Sequence, residues 1–238
     1  EFQNNINRDS LCLLLRHNTI SSPYSIYQGI SKLAPGSILT LNLGNKEIEV
    51  ETYWSMKEVV QSALNNPFVG SEKEALLELE AVLSKSVSDQ MISDVPLGAF
   101  LSGGIDSSTV VALMQSQSSN KIKTFSIGFN EKGYDEAKHA KDVAKHLGTD
   151  HTELYVTSSE ALNVIPQLPV MFDEPFSDSS QIPTYLVSKL AKRNVDVSLS
   201  GDGGDELFGG YNRHIWVKSI WNRTSHLPLF SRRLILYA

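Results

Sequence analysis

The chain has 238 residues, 41% hydrophobic and 20% charged, the composition of a folded chain and not of a disordered one. That length suits one large domain, or one domain with part of another. Its 27 acidic residues outnumber 21 basic ones, a formal net charge of −6 that disfavours non-specific binding to nucleic acid.

Cys12 is the only cysteine, which excludes an intrachain disulfide and a cysteine-rich metal cluster. No apolar run approaches the ~20 residues that span a bilayer. No signal peptide opens the chain and its first residue is Glu1, so a processed chain or an interior piece of a longer protein is expected. Residues 1–56 read as short strands and turns. Within them Leu11 to Leu15 is a compact apolar run, and Cys12 inside it is expected to be a small core residue. Pro35-Gly36 marks a turn. The apolar runs on either side of Gly44-Asn45-Lys46 predict a hairpin. Residues 57–71, with Asn65-Asn66-Pro67 and Gly70-Ser71 as breakers, read as a linker. Ser71 and Glu74 fit a capping box, and the spacing from Ala75 to Met91 predicts a helix over 72–92.

From there strands and helices alternate. Strands are expected at Val95–Leu101, Lys123–Phe129, His151–Val156 and Val195–Leu199. Helices are expected at Thr109–Gln117, Asp135–Leu147 (ended by Gly148), 158–165 and Ile182–Arg193. This alternation predicts an α/β fold, a parallel sheet with helices on both faces.

Two turns carry the chemistry. Ser102-Gly103-Gly104-Ile105-Asp106-Ser107-Ser108 follows one strand and opens a helix. Adjacent glycines let backbone N–H groups approach an anion, three hydroxyls add donors, and the helix N-terminus adds positive partial charge. The result is a pyrophosphate cradle, though no Walker A lysine follows. Asp106 would repel a phosphate unless a cation lay between them, which points to Mg²⁺. A plain Ser/Gly turn capped by Asp106 is the alternative. The second turn, Ser200-Gly201-Asp202-Gly203-Gly204-Asp205-Glu206, continues through Phe208-Gly209-Gly210-Tyr211. It puts three carboxylates within five residues. If its strand neighbours the first, Asp205 can share a metal with Asp106. The alternative is a solvated or Ca²⁺-type acidic loop, although the spacing does not fit an EF-hand.

Ser102 to Ser108 resembles the signature of the ATP-pyrophosphatase (PP-loop) enzymes, and Ser200 to Tyr211 resembles the glutamine-hydrolysing asparagine synthetases. Ser93 to Gly98, Thr124 to Phe129 and His146 to Thr149 are similar to the same family. The resemblance covers nearly all of 72–215. Residues 16–54, with Lys32 to Gly36 and Tyr53-Trp54, resemble the last part of that family's glutaminase domain. The resemblance therefore implies a class-II glutaminase remnant at 1–56, a linker at 57–71 and an ATP-pyrophosphatase domain, truncated at its end, at 72–238. It implies ATP with adenine against Phe100, Ile127 and the Ser200-Gly201 backbone, Leu101 also binding the nucleotide, and pyrophosphate on Ser102, Gly103, Gly104, Ser107 and Ser108. Asp106 and Asp205 would be Mg²⁺ ligands, with Asp106, Asp202 and Asp205 the catalytic carboxylates. Asp202 stands where some members have Glu.

The implied reaction adenylates the β-carboxylate of aspartate and then forms the amide with ammonia, drawn from glutamine in the full-length protein. The implied setting is cytoplasmic, with small-molecule substrates, a homodimer, no nucleic acid and no membrane. The family's glutaminase nucleophile is an amino-terminal Cys, whereas Glu1 stands here. Its later lysine would lie past Ala238, so an interior fragment is expected. The rivals are another adenylating PP-loop enzyme, such as a β-lactam synthetase, and a nucleotide-binding module without turnover. Lesser features get ordinary readings. His139 and His146 share a solvated helix face. The Asp173–Asp178 loop either borders the acceptor site or is a plain loop. Arg213, Arg223, Arg232 and Arg233 form a solvated helix face.

Overall fold

The computed structural model describes residues 4–129 and 136–235. It divides into two compact units: Glu1–Leu83 with Val156–Leu186, and Ser84–Tyr155 with Val187–Ala238.

In the first unit the apolar run at Leu11 to Leu15 is helical, not extended. Helix α1 spans Arg8–His17. Asn7 caps it, its side chain accepting from the N–H of Asp9 and Ser10, and left-handed Asn18 ends it. Five consecutive apolar residues wrap around a helix, so they cannot all face inward. Cys12 falls on the outer face and is exposed, which corrects the expected core position. Strands β1 (Ser37–Leu41) and β2 (Ile48–Thr52) pair antiparallel, from Ser37 opposite Thr52 to Leu41 opposite Ile48. Asn42 and Asn45 shape the intervening turn by accepting from the N–H of Gly44 and Glu47, and Lys46 is left-handed.

The segment read as a linker contains helix α2 (Met56–Asn65). The Asn65-Asn66-Pro67 breakers end that helix and do not mark a loop throughout. Helix α3 covers Glu72–Gln90, close to the predicted span. Its capping box is formed: Ser71 N–H donates to Glu74 Oε2 at 2.8 Å, and Glu74 N–H donates to Ser71 Oγ at 3.3 Å. The Ser71 bonds hold the Glu74 carboxyl below its ordinary range. Further on, α6 (Ser158–Leu162) is capped by a second box from Thr157 and Glu160. A 3₁₀ turn (Ile165–Gln167), α7 (Leu168–Met171) and α8 (Gln181–Ala191) follow.

The second unit is built on a four-stranded sheet. Its strands are β3 (Leu97–Phe100), β4 (Lys123–Phe129), β5 (Asp150–Val156) and β6 (Val197–Leu199), in the order β5-β4-β3-β6. Strand β3 is parallel to both neighbours, with Ala99 opposite Thr124 on one side and Leu199 on the other. It begins later than expected because Pro96 has no N–H to donate, although its carbonyl accepts from Asp196. Helices α4 (Ile105–Ser116) and α5 (Ala137–Leu147) follow β3 and β4. Asp135, the expected start of α5, lies outside the described residues. Gly148 ends α5 in the left-handed conformation, as expected.

Side chains alternate along these strands, so the sheet buries both faces. One core joins Ala99, Leu101 and Ile122 to Val87, Val111, Met114, Ala140 and Ala144. The other joins Phe125 to Val187, Leu190, Ala191 and Val195, with Phe100, Ile127 and Leu154 packed against it. Fully burying a side chain such as Leu101, Met114 or Phe125 stabilises by roughly 1.5–3 kcal/mol. The unit is thus an α/β parallel sheet covered by helices on both faces. Among the described residues no helix is long and apolar enough to cross a membrane.

His151 bridges two buried hydroxyls of β4. Its Nδ1 lies 2.9 Å from Thr124 Oγ1 and its Nε2 lies 3.2 Å from Ser126 Oγ. Burial pushes its pKa below the ordinary 6.5, against a smaller opposing pull from Glu153. A depressed His pKa means that the unfolded chain takes up the proton first. The stability contribution of neutral His151 is therefore complete above about pH 6.5 and is lost as the pH falls below it. Thermal midpoints measured from pH 7.5 to 5 are expected to fall more steeply for the parent than for His151→Asn. Parallel pH profiles would contradict this.

Candidate functional site

Both glycine-rich turns lie at the carboxyl ends of adjacent parallel strands, the position where open parallel sheets collect ligands. The first turn is knit together by its own hydroxyls. Ser102 Oγ and Ser107 Oγ are 2.9 Å apart, Ser102 N–H donates to Ser107 Oγ, and Gly104 N–H donates to Ser102 Oγ. Helix α4 begins at Ile105 and not at the expected Thr109, because Gly104 supplies the extended cap position. Asp106 and Ser107 are consequently first-turn residues of a 12-residue helix, where N–H groups lack intrahelical partners and the dipole favours an anion, whereas Ser108 N–H already donates to the Gly104 carbonyl at 3.0 Å. Ser108 Oγ is buried with no hydrogen-bond partner in the structure.

Gly103 has φ +81°, and a Cβ there would sit 2.7 Å from Ala140 N and 2.8 Å from His139 C, both backbone atoms of α5. The sequence carried no sign that α5 meets this turn. His139 and His146 are exposed, as expected.

The second turn runs from Ser200 to Gly203 and opens the short helix α9 (Gly204–Phe208). It packs directly on the first. A Cβ at Gly201 would lie 2.6 Å from Ser107 N, and one at Gly204 would lie 2.5 Å from Asp106 Cγ and Oδ2. The segment holding Asp205 is therefore next to the Asp106 carboxylate, although nearly one hundred residues separate them in sequence. Asp202 is exposed and accepts from Ser200 Oγ at 2.9 Å. Phe100 and Ile127 are half-buried against the α8 side of the core. Leu101 is 1% exposed, so its side chain belongs to the core and only its backbone is available to a ligand.

Neighbouring contacts went unseen in the sequence. Tyr211 OH donates to Glu206 Oε1 at 2.8 Å, and the Arg213 guanidinium lies 4.1 Å from the Tyr211 ring centroid. The Tyr211 bond draws the Glu206 carboxyl below its ordinary range. Helices α10 (Asn212–Thr224) and α11 (Leu229–Ile235) follow. Arg232 is not simply solvated, since it donates to the carbonyls of Leu227 and Ser225. In the first unit Glu174 accepts from Ile26 N–H and pairs with Lys32, so the Asp173–Asp178 loop has a structural bond that its sequence did not reveal. Beside that pair is a cavity of about 700 Å³, lined in part by Tyr27, Phe172 and Phe176.

The donor set suits a phosphate with a hard cation. The two turns bring together close-approach glycines, first-turn N–H groups, an unpaired buried hydroxyl and the carboxylates of Asp106 and Asp205. Among the described residues no group of three or more His, Cys, Asp or Glu side chains is arranged to hold a metal. A magnesium ion here would complete its shell with phosphate oxygens and water, as that ion commonly does.

The asparagine synthase family model matches residues 78–237. A Methanocaldococcus jannaschii protein provisionally named glutamine-hydrolysing asparagine synthetase 2 is 41% identical over 212 residues, 89% of this chain and 40% of that protein. The glutamine-hydrolysing asparagine synthetase 1 of Bacillus subtilis is 36% identical over 207 residues, 87% of this chain and 31% of that protein. Among solved structures, an ammonia-dependent NAD synthetase from Campylobacter jejuni is similar over 57% of this chain, with 12% identity and a TM-score of 0.40. The chain thus spans less than half the length of these curated relatives. With the family model matched through both glycine-rich turns, the chain belongs to the asparagine synthase family.

Proposed function

We propose that this chain carries the ATP-dependent half of an asparagine-forming ligase. One observation supports it most: two turns from neighbouring parallel strands pack so that the second touches Asp106 and Ser107 of the first. Phe100, Ile127 and the Ser200-Gly201 backbone would flank adenine. Ser102, Gly103, Gly104, Ser107 and Ser108 would cradle pyrophosphate. Asp106 and Asp205 would hold Mg²⁺, which would supply charge neutralisation along the triphosphate. A carboxylate is a weak nucleophile, so positioning and charge neutralisation must lower the barrier. The β-carboxylate of aspartate attacks the α-phosphorus, the bond to pyrophosphate breaks, and β-aspartyl-AMP forms. Ammonia then attacks the acyl carbon, AMP departs, and the amide loses a proton. Asp202, exposed in the second turn, would be the third catalytic carboxylate.

The same proposal takes 1–56 as the tail of a glutaminase domain, joined through 57–71 to the synthetase domain at 72–238. It takes the parent protein as a cytoplasmic homodimer acting on ATP, aspartate and ammonia or glutamine. The net charge of −6 disfavours a nucleic-acid substrate. The test is pyrophosphate release from ATP by this chain with Mg²⁺, aspartate and ammonium. Release that requires aspartate is expected. ATP binding with no aspartate-dependent release would leave a nucleotide-binding module instead.

A further inference from the structure

We propose that Tyr211 is a positioning residue for the acidic turn: by holding Glu206, its hydroxyl sets the direction of α9 and hence of Asp205. The proposal rests on the Mg²⁺–ATP assignment above. Helix α9 has five residues, too few to be stable by itself. Left-handed glycines flank it, Gly203 at φ +92° and Gly209 at φ +69°, and no side chain caps its start. It therefore sits between two flexible joints, and its heading depends on whatever bridges them. The backbone supplies one tie, Gly210 N–H to Asp205 carbonyl at 3.0 Å. The Tyr211 hydroxyl on Glu206 Oε1 supplies a side-chain tie across Gly209 and Gly210, and a hydroxyl on a carboxylate is a stronger bond than one between neutral groups.

Tyr211 is itself anchored. It occupies the cap position of the 13-residue α10, Arg213 lies over its ring, and the His214 ring stacks at 6.2 Å. The fold-back also explains Gly210, where any side chain would overlap the Asp205 carboxylate. The Asp205 carboxylate thus lies against the bare backbone at 210, and its neighbour Glu206 carries the Tyr211 bond.

The test titrates ATP into the chain and into Tyr211→Phe at a series of Mg²⁺ concentrations, by calorimetry. Phenylalanine keeps the ring beneath Arg213 and loses only the hydroxyl. The Mg²⁺ concentration giving half of the full gain in ATP affinity is expected to rise roughly three- to tenfold, the scale of one hydrogen bond. Affinity at saturating Mg²⁺ and the thermal midpoint are expected to stay near those of the parent, a split that general loosening would not produce. Glu206→Gln, which keeps an acceptor for the tyrosine, is expected to shift the Mg²⁺ requirement less. A Tyr211→Phe chain with the parent's Mg²⁺ requirement would overturn the positioning role alone. A parent chain with no Mg²⁺-dependent ATP binding would overturn the nucleotide assignment and this role with it.

Discussion

Asp106→Ala is expected to abolish the Mg²⁺-dependent part of ATP binding while the fold survives. The residue sits in the first turn of α4, half-exposed, with Gly204 against its carboxylate. A carboxylate there gains about 0.3–1 kcal/mol from the helix dipole, and alanine is the better helix former, so little stability is lost. The effect on the ligand is larger. A phosphate cradle with an uncompensated carboxylate repels its anion, so Asp106 makes electrostatic sense only with a cation between the two. On the proposed assignment, removing it takes away one of the two carboxylates that would hold that cation. A loss of at least tenfold in affinity with Mg²⁺ present corresponds to about 1.4 kcal/mol. Calorimetric titration with and without Mg²⁺ measures it, and an unchanged Mg²⁺-dependent affinity would remove the metal role.

Gly103→Ala is expected to be the most damaging single-methyl change at this site. The positive φ costs a non-glycine residue about 1–3 kcal/mol. The added carbon would also lie 2.7 Å from Ala140 N and 2.8 Å from His139 C, and neither atom can yield without moving α5. Together these give a loss of roughly 2–4 kcal/mol, a large share of a typical 5–15 kcal/mol stability. Urea unfolding followed by circular dichroism measures it. A loss below about 1 kcal/mol would mean that α5 and the turn part easily, and the rigid cradle would not stand.

The parts of the fold that were legible in the sequence are those set by local rules. Lys123–Phe129 was found to the residue because its run is buried on both faces, and α3 because Ser71 and Glu74 form a complete box. Helix α1 was missed because Leu11 to Leu15 has no polar gap to show a helical period, although Asn7, Asp9 and His17 did mark its ends. The late placement of the α4 start had a similar origin: Ser107 and Ser108 look like turn residues, yet they are helical once Gly104 caps the helix.

The chemistry of each turn was visible from its residue types. Their contact was not, because it depends on β6 pairing with β3 across two intervening strands. The approach of α5 to Gly103 is likewise a product of tertiary packing. The Tyr211–Glu206 bond is local, but it closes over the left-handed Gly209 and follows no helical spacing.

On the proposed assignment Asp106 and Asp205 act through one cation. A double-mutant cycle on Mg²⁺-dependent ATP affinity tests it, using Asp106→Ala, Asp205→Ala and the pair. A shared ion predicts strong coupling, with the double variant binding no worse than the weaker single one. Losses that simply add would mean that the two carboxylates act separately, and the shared metal clamp would be wrong.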